Sequence, residues 1–70
     1  MFRGCRVVRY ESHQCDAPLG PVRETAEEAG DDIIAEAKAR WPQPRVFPAE
    51  DLAYHTFLGE CRIRAWPPAL

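Results

Sequence analysis

Three cysteines, two histidines and a dense run of carboxylates are the residues of this chain that could do chemistry. Cys5, Cys15 and Cys61 are the candidate nucleophiles, and His13 or His55 could serve one of them as a base. No family spacing links a cysteine to either histidine, and Cys61 falls on the expected inner face of a strand, where a thiol packs as a small apolar group. The same residues could hold zinc. His13-x-Cys15, with His55 and either Cys5 or Cys61, makes up a tetrahedral nitrogen and sulfur set. There is no C-x-x-C pair, so the expectation is a protein with no metal and no cofactor. Four scattered glycines form neither a phosphate loop nor a dinucleotide fingerprint. Carboxylates on a solvated helix face titrate normally and make poor acid–base catalysts. The chain therefore reads as a binding protein, not an enzyme.

Two groupings could bind a partner, and they differ in sign. Glu27, Glu28, Asp31, Asp32 and Glu36 share one arc of a helix, with no basic residue until Lys38, and could attract a basic protein surface over a distance. Tyr54, Arg62, Arg64 and Trp66 mix cations and aromatic rings on one side of a strand, as nucleic-acid platforms do. A net charge of −2 opposes the counterion release on which most nucleic-acid binding depends, so direct nucleic-acid contact is the second choice. Leu58 and Trp66, expected on the exposed face, suit a homodimer contact equally well.

The helix positioning the acidic arc is well marked. Thr25-Ala26-Glu27-Glu28 is a capping box, Lys38 and Arg40 suit the negative end of the helix dipole, and Pro42 stops the helix at Trp41. Its apolar arc is Ala26, Ala29, Gly30, Ile33, Ile34, Ala37 and Trp41. Ahead of it, Phe2 to Glu11 reads as a strand and Ser12 to Pro21 as a connecting loop. After it, Arg45-Val46-Phe47 can be no more than a short edge strand between prolines. From Tyr54 to Trp66 the residues alternate. His55, Phe57, Gly59, Cys61, Ile63 and Ala65 lie inward, Gly59 marking a bulge or a hairpin turn. The predicted fold is α+β: one amphipathic helix packed on a small antiparallel sheet of two to four strands, in the order β-α-β-β, as one domain over residues 1–70.

Seventy residues leave room for one thin core, and 46% hydrophobic with 29% charged residues suits a globular protein. Arg3, Arg6 and Arg9 break the apolar residues of the first ten positions, so no signal peptide is expected there, and no run approaches membrane-spanning length. The expected location is the cytoplasm, with the cysteines reduced.

From Val7-Val8 through Thr25-Ala26-Glu27-Glu28 to Cys61-Arg62-Ile63, the layout resembles the small αβ proteins by which bacteriophages inhibit CRISPR–Cas complexes. The resemblance is one of architecture and involves no shared motif. It implies a phage-encoded, non-enzymatic inhibitor that occludes a nucleic-acid-binding surface of a Cas complex, with Glu27, Glu28, Asp31, Asp32 and Glu36 as its contact.

Overall fold

The computed structural model describes residues 1–68. Its elements are β1 (Phe2–Arg9), β2 (Gln14–Pro18), α1 (Ala26–Arg40), α2 (Pro48–Glu60) and β3 (Cys61–Ala65). They form an α+β domain in which two helices cover one face of an antiparallel sheet ordered β2-β1-β3. The extents are 43 × 32 × 13 Å, a two-layer slab that leaves the second face of the sheet open. No helix among the described residues is long and apolar enough to cross a membrane.

Strand β1 is central because it carries the apolar residues and lacks proline. It pairs with β2 from Cys5↔Pro18 to Arg9↔Gln14, and with β3 from Phe2↔Ala65 to Arg6↔Cys61. Part of the expected loop, Gln14–Pro18, is thus a strand. The turn chemistry at Ser12-His13 closes a hairpin in which the Tyr10 amide donates to the His13 carbonyl at 2.7 Å. Arg45–Phe47 forms no strand; it is the approach to α2.

The larger correction lies at 54–60, which is helical. Pro48 at the first turn and Glu50 and Asp51 beside it start α2. Tyr54, Phe57 and Cys61, at helical spacings of three and four, are the positions that point into the core. Only Cys61 to Ala65 keeps the strand alternation. Gly59 is neither bulge nor turn; it lies in the last turn of α2, with open space where a Cβ would stand. Tyr54 is 8% exposed, and Leu58 is partly buried against the core. Neither belongs to an outer sheet face.

Helix α1 begins as its capping box predicts, with one difference. The Glu28 amide donates to the Thr25 hydroxyl at 3.2 Å, and that hydroxyl, not the Thr25 amide, donates to the Glu28 carboxylate at 2.9 Å. Ala29, Ile33 and Ala37 are buried, whereas Ala26 is exposed and Ile34 is 43% exposed, so the buried stripe is narrower than expected. The core joins Ile33 and Ala37 to Tyr54, Phe57 and Cys61, with Leu19, Trp41 and Leu58 packed around it. Arginines close its margin: Arg6 and Arg40 stack over Phe57 at 5.2 and 4.6 Å, and Arg45 over Tyr54 at 3.9 Å. Gly4 allows α1 to approach closely, since a Cβ there would lie 2.8 Å from Ile33 Cγ1 and 2.9 Å from the Ala29 carbonyl.

Candidate functional site: a basic sheet face and groove

Side-chain alternation along β1 and β3 sorts their residues between the two faces of the sheet. Gly4 meets α1 and Arg6 meets Phe57, so Phe2, Gly4, Arg6 and Val8 face the helices. Arg3, Cys5, Val7 and Arg9 face the open side. On β3, Cys61 packs in the core and the Ile63 methyl reaches Gly30, so Arg62 and Arg64 share the open face with Arg3 and Arg9. Asp16 of β2 is the carboxylate brought there, paired with Arg64 at 3.2 Å. That ion pair crosses β1 over Cys5, which is fully buried although it lies on the open side.

The charge distribution follows. Four arginines stand against one aspartate on this face, in a chain whose net charge is −2. Arg9 and Arg62 have no carboxylate partner among the described residues; Arg62 donates instead to the Gly59 and Cys61 carbonyls at 2.6 and 2.7 Å. Arg3 stacks over Trp66 at 5.0 Å and donates to the Gly20 carbonyl at 2.6 Å. Where β1 runs past the start of β3, an open groove of about 640 Å³ is lined by Arg6, Val7, Arg9, Glu60, Arg62 and Arg64. Glu60 there is neutralised by Arg6 at 3.1 Å.

Of the expected cation and aromatic grouping, Arg62, Arg64 and Trp66 come together. Tyr54 does not, and the Trp66 ring is covered by Arg3. Sequence reasoning missed Arg3 and Arg9, whose place beside Cys5 and Val7 on one side of β1 was visible in the alternation. The missing information was the pairing of β1 with β3.

The acidic arc is partly neutralised within the chain. Arg23 grips Asp32 with two bonds of 2.8 and 2.9 Å, and the hydrogen bond it donates holds the Asp32 carboxyl below the usual range. Arg40 takes Glu36 at 2.9 Å, and Glu28 is occupied with its cap. Glu27 and Asp31 are exposed and make no ion pair among the described residues.

The candidate zinc set does not converge: no three His, Cys, Asp or Glu side chains among the described residues are placed to share a metal ion. Cys5 and Cys61 lie on opposite faces of the sheet, and His13 is tied to Ser12 and stacked on Tyr10. Burial pushes both the Cys5 and Cys61 thiols up, away from the reactive thiolate. No family model matches the chain, and no curated protein or solved structure matches it.

Proposed function

We propose that this protein is a non-enzymatic binding module whose basic sheet face and groove take an acidic segment of another protein. One observation carries the reading: the face holds four arginines against one aspartate, although the chain as a whole is acidic. Guanidinium groups match carboxylates in a bidentate fork and stay charged at any physiological pH. A nucleic acid would meet the same charges. Its bases would find Tyr54 in the core and one face of the Trp66 ring already taken by Arg3.

Fluorescence anisotropy with labelled poly-L-glutamate and labelled oligo(dT) tests this. Poly-L-glutamate binds the wild type more tightly, with an affinity that falls as salt is added. The variant carrying Arg9→Glu and Arg62→Glu, two exchanges that move the net charge from −2 to −6, binds tenfold or more weakly. Preference for oligo(dT) would transfer the face to nucleic acid, and indifference to the double substitution would remove it as a site.

A second reading is favoured by the exposure of Glu27 and Asp31 without cationic partners: an inhibitor of the kind the CRISPR–Cas resemblance implies, docking its helix on a basic protein surface. Its test is binding to poly-L-lysine, which Glu27→Lys with Asp31→Lys abolishes if the helix is the contact.

A further inference from the structure

The two edges of the sheet are not equivalent. Along β2, Leu19 donates to the Gly4 carbonyl, so the odd residues of that strand turn their amides toward β1 and the even ones turn outward. Pro18 is one of the outward positions and has no N–H to offer, which blunts that edge. On β3 the Trp66 amide donates to the Met1 carbonyl, so even residues pair with β1 while Ile63 and Ala65 present their amides and carbonyls outward; the Cys61 amide is taken by the Leu58 carbonyl and the Cys61 carbonyl by Arg62. No proline interrupts β3, no strand lies beyond it among the described residues, and its residues after Cys61 are exposed. An unpaired edge of this kind, open at Ile63 and Ala65, is a template for one more strand.

Its two faces specify what that strand must carry. On the open face Arg62 and Arg64 stand two residues apart, the spacing of same-side residues on an opposing strand. On the helix face, Ile63 and Ile34 are each 43% exposed, and Ile63 touches Gly30, one helical turn before Ile34. We infer that the β3 edge receives an extended peptide segment in which acidic and apolar residues alternate, its carboxylates against Arg62 and Arg64 and its apolar side chains over Ile63 and Ile34. This rests on the acidic-segment reading and names how the segment binds. A second copy of the chain fits less well, because antiparallel β3 pairing about Ile63 sets Arg62 against Arg64 of the other copy.

The probes are three labelled ten-residue peptides: alternating Glu-Val, the same peptide N-methylated at alternate backbone amides on its pairing edge, and a block peptide of five Glu then five Val. The alternating peptide binds wild-type protein at least tenfold more tightly than either control, and on binding slows hydrogen exchange at the Ile63 and Ala65 amides. Ile63→Pro, which removes one outward donor, abolishes that preference. Because this variant could lose its fold, the N-methylated peptide against wild-type protein decides independently. Equal binding of all three peptides, with sensitivity to Arg9→Glu and Arg62→Glu intact, overturns strand addition and leaves the charge reading standing. Binding of none of them, nor of poly-L-glutamate, overturns both. A concentration-dependent dimer in sedimentation that Ile63→Pro dissolves would assign the edge to a second copy and overturn the peptide.

Discussion

Adding one methyl group at Gly4 and one at Gly59 should move stability in opposite directions. At Gly4 the new Cβ would stand 2.8 Å from Ile33 Cγ1 and 2.9 Å from the Ala29 carbonyl, distances that real Cβ atoms do not tolerate. The Ile33 side chain can rotate, but the carbonyl belongs to the α1 backbone, so the helix must lift from β1. Overpacking of this kind costs about 1–3 kcal/mol, and the backbone contact puts it in the upper half of that range. Removing glycine from a strand returns about 0.5–1 kcal/mol of unfolded-state entropy. The net loss for Gly4→Ala is roughly 1–2.5 kcal/mol, in a domain whose size supports only about 3–5 kcal/mol in total. At about 4–8 °C per kcal/mol the melting temperature falls by roughly 4–20 °C. Gly59 has nothing within 4 Å and sits in a helix, so Gly59→Ala gains about 0.5–1 kcal/mol and raises melting by about 2–8 °C. Thermal denaturation followed by far-ultraviolet circular dichroism reads both. A Gly4→Ala protein that melts with the wild type would refute the seating of α1 over β1, and with it the placing of Arg3 and Arg9 on the opposite face.

Ile33→Asp should unfold the domain by burying an unpaired charge, while Ile34→Asp, at a position 43% exposed, should retain the native circular dichroism spectrum. Asp32 is held below the ordinary carboxylate range by the Arg23 hydrogen bond, so its stabilising contribution is present above about pH 4 and is lost as pH falls through its depressed folded-state pKa. Urea midpoints of wild type and Asp32→Asn should therefore differ at pH 7, and the difference should shrink as pH is taken below about 4. With a thiol-reactive dye, Cys15 should label at once in the native protein, and the buried Cys5 and Cys61 only after denaturant is added. Rapid labelling of all three would contradict the burial described for the sheet and core.

The α1 helix was legible because its signals are local: a capping hydroxyl, a carboxylate three residues on, an apolar stripe and a closing proline. The segment 54–60 was not, because its residues satisfy two periods at once. Phe57, Cys61 and Ile63 alternate as a strand should, yet Tyr54, Phe57 and Cys61 also recur at helical spacing, and Pro48 with Glu50 and Asp51 settles the competition in favour of the helix. The strand Gln14–Pro18 was hidden by its own edge position, where Asp16 and Pro18 read as loop residues. Half of the basic face was visible as Arg62 and Arg64. The other half, Arg3 and Arg9, depended on which strands pair, a long-range property that no local pattern in one sequence carries. The acidic arc was read correctly as residues on a helix, but Arg23, nine positions away from Asp32, was not seen to neutralise part of it.

The central claim is that the arginine face of the sheet, and not the acidic helix, meets the partner. Amide chemical-shift mapping of the isotopically labelled protein, titrated with poly-L-glutamate at low salt, tests it residue by residue. The predicted result is a contiguous set of shifts at Arg3, Val7, Arg9 and Arg62 to Ala65, fading as salt is raised, with Glu27 to Glu36 unmoved. An unperturbed sheet, together with shifts at Glu27 and Asp31 when poly-L-lysine replaces poly-L-glutamate, would contradict the account and hand the contact to the helix.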